Sequence, residues 1–259
     1  MFRIFLLILN LAPLVLVGQA TKKVTINYFL LPACKEIFYA LKSDTLIREG
    51  LYKLVSNRKI IVQGYYHNNQ KDSLWTEYDL NGKLRFQGRY AHDQRSGIWE
   101  YYNEQGELEQ RLDFTNLEVL LYRTQLANHP FRIIRSRDSI VSVLDRPPLY
   151  LGGQSRIDKF INEAITVPFH KHNDKIKGKV FVEFTIDSVG KTSNHHILKG
   201  LNVGCNYEAL RIVKALPDAW FPGVYEGKNV SVNYVILINF DERIVKTPVD
   251  DFFEIDDLY

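Results

Sequence analysis

The sequence predicts an α+β protein with an N-terminal antiparallel β-hairpin repeat array and a C-terminal three-stranded antiparallel sheet with two helices. Three observations lead to this prediction. The first half of the chain repeats itself in motifs rich in glycine and aromatic residues. Later segments alternate apolar and polar residues as strands do, and two stretches among them space apolar residues as helices do. With 46% hydrophobic and 24% charged residues, the composition is that of a globular protein.

The start of the chain has the order of a secretory signal. Arg3 precedes an apolar run over residues 4–17, and residues suited to cleavage follow as far as Ala20. The run is shorter than the roughly 20 apolar residues that span a bilayer. We therefore expect residues 1–20 to be a signal peptide that exports the chain. If the segment is retained instead, it would hold the chain at the inner membrane.

The repeat predicts stacked β-hairpins over residues 21–114. Asn-Gly is a strong two-residue hairpin turn, because both residues tolerate positive φ, and Trp and Tyr favour strands. A single hairpin is barely stable, so each hairpin must pack on the next. The matching motifs, 24 positions apart, are Gln63-Gly64-x-Tyr66 with Gln87-Gly88-x-Tyr90, Leu74-Trp75-x-x-Tyr78 with Ile98-Trp99-x-x-Tyr102, and Asn81-Gly82 with Gln105-Gly106.

The glycine, tyrosine and tryptophan spacing over residues 47–114 resembles the MORN-like repeats of the YwqK antitoxin family, which form β-hairpin arrays. The resemblance implies an architecture and not an activity, because an exported protein could not neutralise a cytoplasmic toxin. Two roles are open for the repeated aromatic side chains. They form the stacking core between hairpins, or they make an exposed row that binds sugars or peptides. These residues are Tyr66, Trp75, Tyr78, Tyr90, Trp99 and Tyr102.

Residues 115–146 are predicted to link the array to a C-terminal module. Their stretch 117–126 is compatible with a helix, and the segment after it is basic because it contains Arg132, Arg135 and Arg137. This patch is too small to indicate binding of lipid or nucleic acid. The formal net charge of +3, with basic and acidic residues interspersed, also argues against a nucleic-acid-binding protein.

The module over residues 147–240 has the predicted order helix, strand, strand, helix, strand. The first helix follows Ser155-Arg-Ile-Asp158, which has the spacing of an N-terminal capping box. The second begins near Asn206, a residue type that caps helices well, and Pro217 ends it. The last strand alternates apolar and polar residues over 229–240. This order gives a three-stranded antiparallel sheet covered by helices.

Three segments of this module resemble the C-terminal domain of the TonB family. They are Asp145-Arg-Pro-Pro-Leu-Tyr-Leu-Gly-Gly153, Gly178-Lys-Val-Phe-Val-Glu-Phe-Thr-Ile-Asp187 and Ala215-Leu-Pro-Asp-Ala-Trp-Phe-Pro-Gly223. The resemblance implies a periplasmic, non-enzymatic protein of TonB-dependent transmembrane transport. Its partner would be an outer-membrane TonB-dependent receptor or another envelope protein, and an extended segment of that partner would add to a sheet edge.

The resemblance also implies a binding site, because the last strand of TonB-like domains captures the transporter segment. Carried onto this sequence, the candidate residues are Val230, Ser231, Val232, Asn233 and Tyr234, with Val167 and Pro168 as lesser candidates. The alternative is that this strand is central in its sheet. The chain would then be a non-transducing envelope scaffold whose β-repeat array binds a protein or glycan. The 9 prolines form no proline-rich spacer of the kind that an energy transducer has.

No motif indicates catalysis, a cofactor or a metal ion. Gly-x-Ser-x-Gly, His-Glu-x-x-His and a complete phosphate-binding loop do not occur in the sequence. Cys34 and Cys205 have no Cys or His partner at metal-ligand spacing, and whether they pair with each other is left open. Residues 241–259 are predicted to be an acidic, solvated tail. We therefore expect a binding protein and not an enzyme.

Overall fold

The computed structural model describes residues 20–28, 33–136, 138–165 and 177–240. These residues form an α+β fold with two large antiparallel sheets and two helices, which confirms the predicted fold class. The predicted signal segment up to residue 19 and the acidic tail lie outside the described residues. Two of the candidate binding residues, Val167 and Pro168, also lie outside them.

The N-terminal sheet is a meander in which each strand pairs antiparallel with the next strand along the chain. Short hairpins connect the strands from β3 to β8, and the predicted turn motifs Asn81-Gly82 and Gln105-Gly106 lie between β5 and β6 and between β7 and β8. The hairpin array is thus present, while its relation to MORN-like repeats stays a prediction. The strands are β1 (Thr21–Tyr28), β2 (Cys34–Leu41), β3 (Arg48–Ser56), β4 (Lys59–His67), β5 (Gln70–Tyr78), β6 (Leu84–Ala91), β7 (Gln94–Tyr102), β8 (Leu108–Asp113) and β9 (Glu118–Tyr122).

The repeated glycines make room for indole rings that lie across the neighbouring strand. A Cβ added at Gly64 would overlap the ring of Trp75, and a Cβ added at Gly88 would overlap the ring of Trp99. The Trp99 indole N–H also donates a hydrogen bond to the carbonyl oxygen of Arg89 at 3.0 Å. Glycine and tryptophan therefore recur together because one residue leaves the space that the other fills.

The repeated aromatic rings form a stacking core. Trp75 packs against Tyr66 and Tyr90 at centroid distances of 5.2 and 5.9 Å, and Tyr90 packs edge-on against Trp99 at 5.0 Å. All four side chains are buried. Of the two roles that the sequence left open, the structure therefore favours the core for these four rings. Tyr78 and Tyr102 are half-buried.

The C-terminal sheet contains more than the three strands predicted for it. A hairpin from the predicted linker extends it to the order β11-β10-β17-β13-β14, and a short strand, β16, pairs with the start of β17. The expected strands are β13 (Lys179–Ile186), β14 (Thr192–Lys199) and β17 (Lys228–Asn239). The additional strands are β10 (Pro130–Ile134), β11 (Ser139–Val143) and β16 (Gly223–Tyr225). A separate pair is formed by β12 (Leu149–Tyr150) and β15 (Trp220–Phe221).

The segment predicted as a linker therefore contributes strands to both sheets. Its stretch 117–126, which the sequence left compatible with a helix, contains strand β9 instead. Strand β9 pairs along the outer side of β8, where Leu112 lies opposite Val119. An open sheet edge offers backbone partners to a short segment, and such tertiary pairing outweighs a weak helical preference.

Helices α1 (Gln154–Ala164) and α2 (Val203–Ala215) cover one face of the C-terminal sheet. Ile157 of α1 and Ile212 of α2 belong to the same buried cluster as Val180 and Val182 of β13. Both helices begin earlier than predicted, since the N-caps are Gly153 and Asn202. The predicted end of α2 is correct, because the helix stops just before Pro217.

Candidate partner-binding site

The predicted binding strand lies inside the C-terminal sheet and not at its edge. Val232 pairs with Ile186 of β13 on one side and with Ile133 of β10 on the other. Val230 pairs with Gly223 of β16. The backbone of Val232 is therefore paired on both sides, and Val230 is paired with a further strand. Of the two interpretations that the sequence left open, the structure matches the central strand.

Two side chains of this segment, Val232 and Tyr234, are core residues, and the other three are partly buried. Val232 is fully buried, and Tyr234 packs against Trp220 and Phe184 at centroid distances of 4.9 and 5.8 Å. Burial, together with the carboxylate of Asp158, raises the pKa of Tyr234 to about 12. These contacts stabilise the domain and leave neither side chain on a surface that a partner could reach.

The hairpin of β10 and β11 is the feature that sequence reasoning missed. Phe131 and Ile133 are buried, while Arg132 and Ile134 between and after them are exposed. The turn is closed by a hydrogen bond from the Arg135 N–H to the Asp138 carbonyl at 3.0 Å. In the sequence, apolar and polar residues alternate only over Phe131-Arg132-Ile133, because the next residue, Ile134, is apolar, and so short a run does not indicate a strand.

The second half of β17 keeps an accessible side. In an antiparallel ladder the N–H and C=O of one residue point to the same neighbouring strand, and successive residues alternate. The hydrogen bond from Phe240 N–H to the Gly178 carbonyl, at 2.9 Å, means that even-numbered residues face β13. Leu237 therefore directs its backbone away from β13, and no strand among the described residues pairs with it there.

The two outer edges of the sheet differ in regularity. At β14 the register against β13 shifts between Glu183 and Thr185, and Asn194 has a φ of 56°. His195 stacks on Phe184 at 5.1 Å, and burial lowers its pKa. Such a bulged edge interrupts the row of backbone groups that an added strand needs. The opposite edge, β11, pairs with β10 without any register shift.

Strand β8 joins the two sheets through two buried polar side chains. The Glu109 carboxylate accepts a hydrogen bond from the Gln154 N–H at 2.7 Å and so caps the first turn of α1. The Gln110 side chain donates to the Tyr150 carbonyl at 2.8 Å and accepts from the Gly152 N–H at 2.9 Å. Gly153, the N-cap residue, has no side chain for this task. The cap predicted at Ser155 is therefore supplied from the repeat sheet.

A second surface feature lies on the repeat sheet. An open groove of about 760 Å³ is lined by Arg48, Lys71 and Arg95, one cation from every second strand. The Lys71 ammonium lies 5.0 Å from the centroid of the Trp75 ring. Arg48 also forms an ion pair with Glu36 at 2.9 Å. The groove could hold an anionic ligand, but much of its charge serves the aromatic core beneath it.

Metal-binding clusters and membrane-spanning helices are absent from the described part of the chain. Within these residues no cluster of three or more His, Cys, Asp or Glu could hold a metal ion. Cys34 and Cys205 are buried and are not joined to each other by a disulfide. Neither described helix is long and apolar enough to cross a membrane.

Comparison with known proteins agrees with the architecture of the C-terminal sheet. Residues 170–241 match the family model of the Gram-negative bacterial TonB protein C-terminal. The match includes β13, β14, α2 and β17, and it excludes the hairpin of β10 and β11 and the whole repeat sheet. The C-terminal unit of this chain thus contains a TonB-like domain, extended by strands that lie outside the family match.

Other comparisons add no further relationship. No curated protein matches the chain. One similar solved structure is a mutant of TarM from S. aureus in complex with fondaparinux, α-GlcNAc-glycerol and UDP. Its sequence is 15% identical to this chain, the TM-score is 0.22, and the match covers 37% of this chain and 20% of that chain. A second TarM structure is 15% identical with a TM-score of 0.23, over 38% and 21%. The chain spans about a fifth of these proteins, and at such scores the similarity carries no argument.

Proposed function

We propose that this chain is a periplasmic envelope protein that binds an extended segment of an outer-membrane transporter, or of another envelope protein, by β-strand addition. Its role would be linked to TonB-dependent transmembrane transport and would involve no catalysis. The family match over residues 170–241 is the observation that carries the proposal. The open antiparallel sheet also supports it, because the backbone groups along an open edge can pair with an added strand.

The repeat sheet has a defined part in this proposal. It holds the TonB-like domain through Glu109 and Gln110, both buried at the junction. A partner segment bound to the domain would therefore be oriented relative to the whole array. In this proposal the repeat sheet takes the place of the flexible proline-rich spacer of an energy transducer. We therefore propose that the chain binds and orients its partner without direct force transmission.

Strand addition is tested by fluorescence anisotropy with synthetic peptides from the N-terminal segments of the TonB-dependent transporters of the source bacterium. We expect saturable binding of one or more peptides to the full chain, and weaker binding of scrambled versions. Proline at Val232 is unsuitable as a test, because the N–H of this buried residue faces β13. Leu237→Pro is the informative variant of β17, since it removes an N–H directed away from β13.

The export part of the proposal is tested by cell fractionation and intact-mass analysis of the purified protein. A soluble periplasmic species that begins near Thr21 is the expected result. A membrane-bound species with the mass of the full sequence would contradict it, and would make coupling to an inner-membrane motor the better proposal.

A scaffold function is the second candidate, and the cationic groove on the repeat sheet favours it. In this case the array binds an anionic protein or glycan, and the TonB-like domain serves assembly. Lys71 lines the middle of the groove, between Arg48 and Arg95. Failure of every transporter peptide to bind, together with partner binding that is lost in Lys71→Glu and kept in Lys42→Glu, would favour the scaffold.

A further inference from the structure

The hairpin of β10 and β11 moves the accessible edge of the TonB-like sheet. Ile133 and Ile134 of β10 occupy the ladder positions of β17 opposite Val232 and Ser231. The strand order then ends at β11, which among the described residues pairs with β10 alone. Beside residues 231–232, the edge that would lie at β17 in a three-stranded sheet therefore lies at β11, while the second half of β17 stays accessible.

The backbone groups of β11 that face outwards can be identified from one hydrogen bond. The Arg135 N–H donates to the Asp138 carbonyl, so the backbone of Asp138 faces β10. Alternation along the ladder then directs the N–H and C=O of Ser139, Val141 and Val143 away from β10. Three successive outward positions are the pattern that an added antiparallel strand pairs with.

We propose that the outer edge of β11 is the docking edge for an extended, anionic segment of a partner protein. The segment would form ladder hydrogen bonds with Ser139, Val141 and Val143. It would place aliphatic side chains at alternate positions and carboxylates between them. This inference rests on the proposed strand-addition function and assigns it to a hairpin that lies outside the family match.

The apolar part of the specificity follows from the exposed face beside this edge. Val141 is 67% exposed and Val143 is 48% exposed. The pairing register places both on the same sheet face as Ile134 of β10 and Val235 and Leu237 of β17, opposite the helices. Five exposed aliphatic side chains on adjacent strands form a surface that alternate aliphatic residues of an added strand would extend and partly cover.

The charge of the hairpin decides which occupant it favours. Residues 130–143 contain Arg132, Arg135 and Arg137 against a single acidic residue, Asp138. A segment with carboxylates is attracted to this charge, whereas a second copy of the chain would bring two basic hairpins edge to edge. The anionic partner is therefore favoured over self-association.

Two of the other described edges carry features that oppose strand addition. One outer strand of the repeat sheet, β1, contains the exposed residues Lys22 and Lys23, and lysine on an edge strand is a common protection against unwanted pairing. Strand β14 is interrupted by its register shifts. Strand β11 has the sequence Ser-Ile-Val-Ser-Val, without lysine, proline or a bulge.

The test uses the 15N-labelled full chain and a blocked peptide, Ser-Val-Glu-Val-Glu-Val-Glu-Val-Ser, which places valines on one face and glutamates on the other, with a second peptide in which lysine replaces glutamate. We expect the glutamate peptide to shift the amide resonances of Ser139, Val141 and Val143, and the lysine peptide to bind more weakly. Val141→Pro removes one outward N–H that β10 does not use, so we expect affinity to fall about tenfold, the equivalent of one hydrogen bond of about 1.4 kcal/mol.

Thr25→Pro in β1 is the matched control. The hydrogen bond from Lys42 N–H to the Ala20 carbonyl makes the odd-numbered residues of β1 face outwards, so this proline also removes an outward donor from an edge strand. It should leave peptide affinity unchanged. Val141→Glu covers the case in which the proline variant does not fold, because it keeps the N–H and should reverse the preference from the glutamate peptide to the lysine peptide.

Each contrary result has a different meaning. Shifts at Leu237 with unchanged affinity in Val141→Pro would overturn the edge assignment and leave strand addition standing. A concentration-dependent dimer that Val141→Pro abolishes would assign the edge to a second copy. Binding that requires deletion of residues 241–259 would assign it to the acidic tail. Failure of both this peptide and the transporter peptides to bind would overturn the proposed function as well.

Discussion

At the scale of single residues, the repeat sheet depends on small spaces filled by large rings. Gly64 and Gly88 each lie under an indole ring, where a Cβ would overlap ring atoms. Gly82 and Gly106 have a different task, since their φ values of 89° and 86° are required by the turns. The same residue type is thus used for close packing within strands and for backbone conformation between them.

Gly88→Ala should destabilise the fold by about 2 kcal/mol, because overpacking forces the Trp99 ring to move. Urea unfolding gives the free energy, and the near-UV circular dichroism of tryptophan reports the displaced ring. Gly106→Ala is the control, since its Cβ position meets nothing closer than the Lys83 Cδ at 4.0 Å, an ordinary contact, and only the positive φ opposes a side chain. It should cost about 1 kcal/mol and leave the tryptophan signal unchanged. Equal signals from the two variants would contradict the packing explanation.

We expect the carboxylate of Glu100 to make part of the free energy of unfolding sensitive to acid. Hydrogen bonds from Gln87 and Arg111 on the neighbouring strands, at 2.7 and 2.6 Å, lower the pKa of Glu100. Because the pKa of Glu100 is lowered in the folded state, the contribution of its carboxylate to the free energy of unfolding is fully present above the ordinary glutamate pKa of about 4.3. It is lost as the pH falls through the lower folded-state value.

Glu100→Gln should therefore be less stable than the unmodified protein at pH 7, and the difference should shrink in acid. Urea unfolding at pH 7 and near pH 3 measures both free energies. Glu118→Gln, at an exposed position of β9, is the control and should leave the free energy of unfolding at pH 7 nearly unchanged. A stability difference that stays constant between the two pH values would mean that the charge of Glu100 is not responsible.

At the scale of elements, the ends of the two helices are stabilised in different ways. The N-cap of α2 is local, because the Asn202 side chain accepts a hydrogen bond from the Cys205 N–H at 2.8 Å. The cap of α1 comes from Glu109, 45 residues earlier in the chain. Local caps can be read from a sequence window, while distant ones require the fold.

Asn202→Ala should destabilise the protein by about 1 kcal/mol, the usual cost of losing an N-cap side chain. The free energy of unfolding from urea titration checks this value, and Asn202→Ser should recover most of it. Asn229→Ala, at an exposed position of β17, serves as the control and should be close to neutral. If both alanine variants lose the same free energy, the capping explanation is wrong.

At the scale of the whole molecule, the two sheets should unfold together. Their junction contains the buried side chains of Glu109 and Gln110, which satisfy backbone groups of the TonB-like domain. Removing both would leave buried N–H and C=O groups without partners, which costs about 1–3 kcal/mol for each group. We therefore expect β8 to contribute strongly to the coupling of the two sheets, beside the packing of Leu151 and Phe221 against the aromatic core of the repeat sheet.

The double variant Glu109→Ala and Gln110→Ala should separate a single calorimetric transition into two. Glu107→Ala, whose side chain is 62% exposed near the same strand, should keep one transition. Differential scanning calorimetry distinguishes the two outcomes. One unchanged transition in the double variant would show that other contacts couple the sheets.

The sequence by itself determined the elements whose signals are local. The hairpin repeat followed from glycine, aromatic and turn residues at fixed spacing, and strands β13, β14 and β17 followed from alternation. Both helices were predicted, although each begins earlier than expected. Local hydrogen bonds and side-chain periodicity specify such elements, so a short window of sequence is enough to find them.

Only the tertiary structure decided which strand is an edge and which is central. The binding residues 230–234 were placed at an edge, but the hairpin of β10 and β11 pairs beside them. The cap of α1 by Glu109 likewise depends on a contact between residues that are distant in the sequence. Strand neighbours and distant caps depend on contacts between residues far apart in the chain, and no local pattern encodes which segment will occupy an open edge.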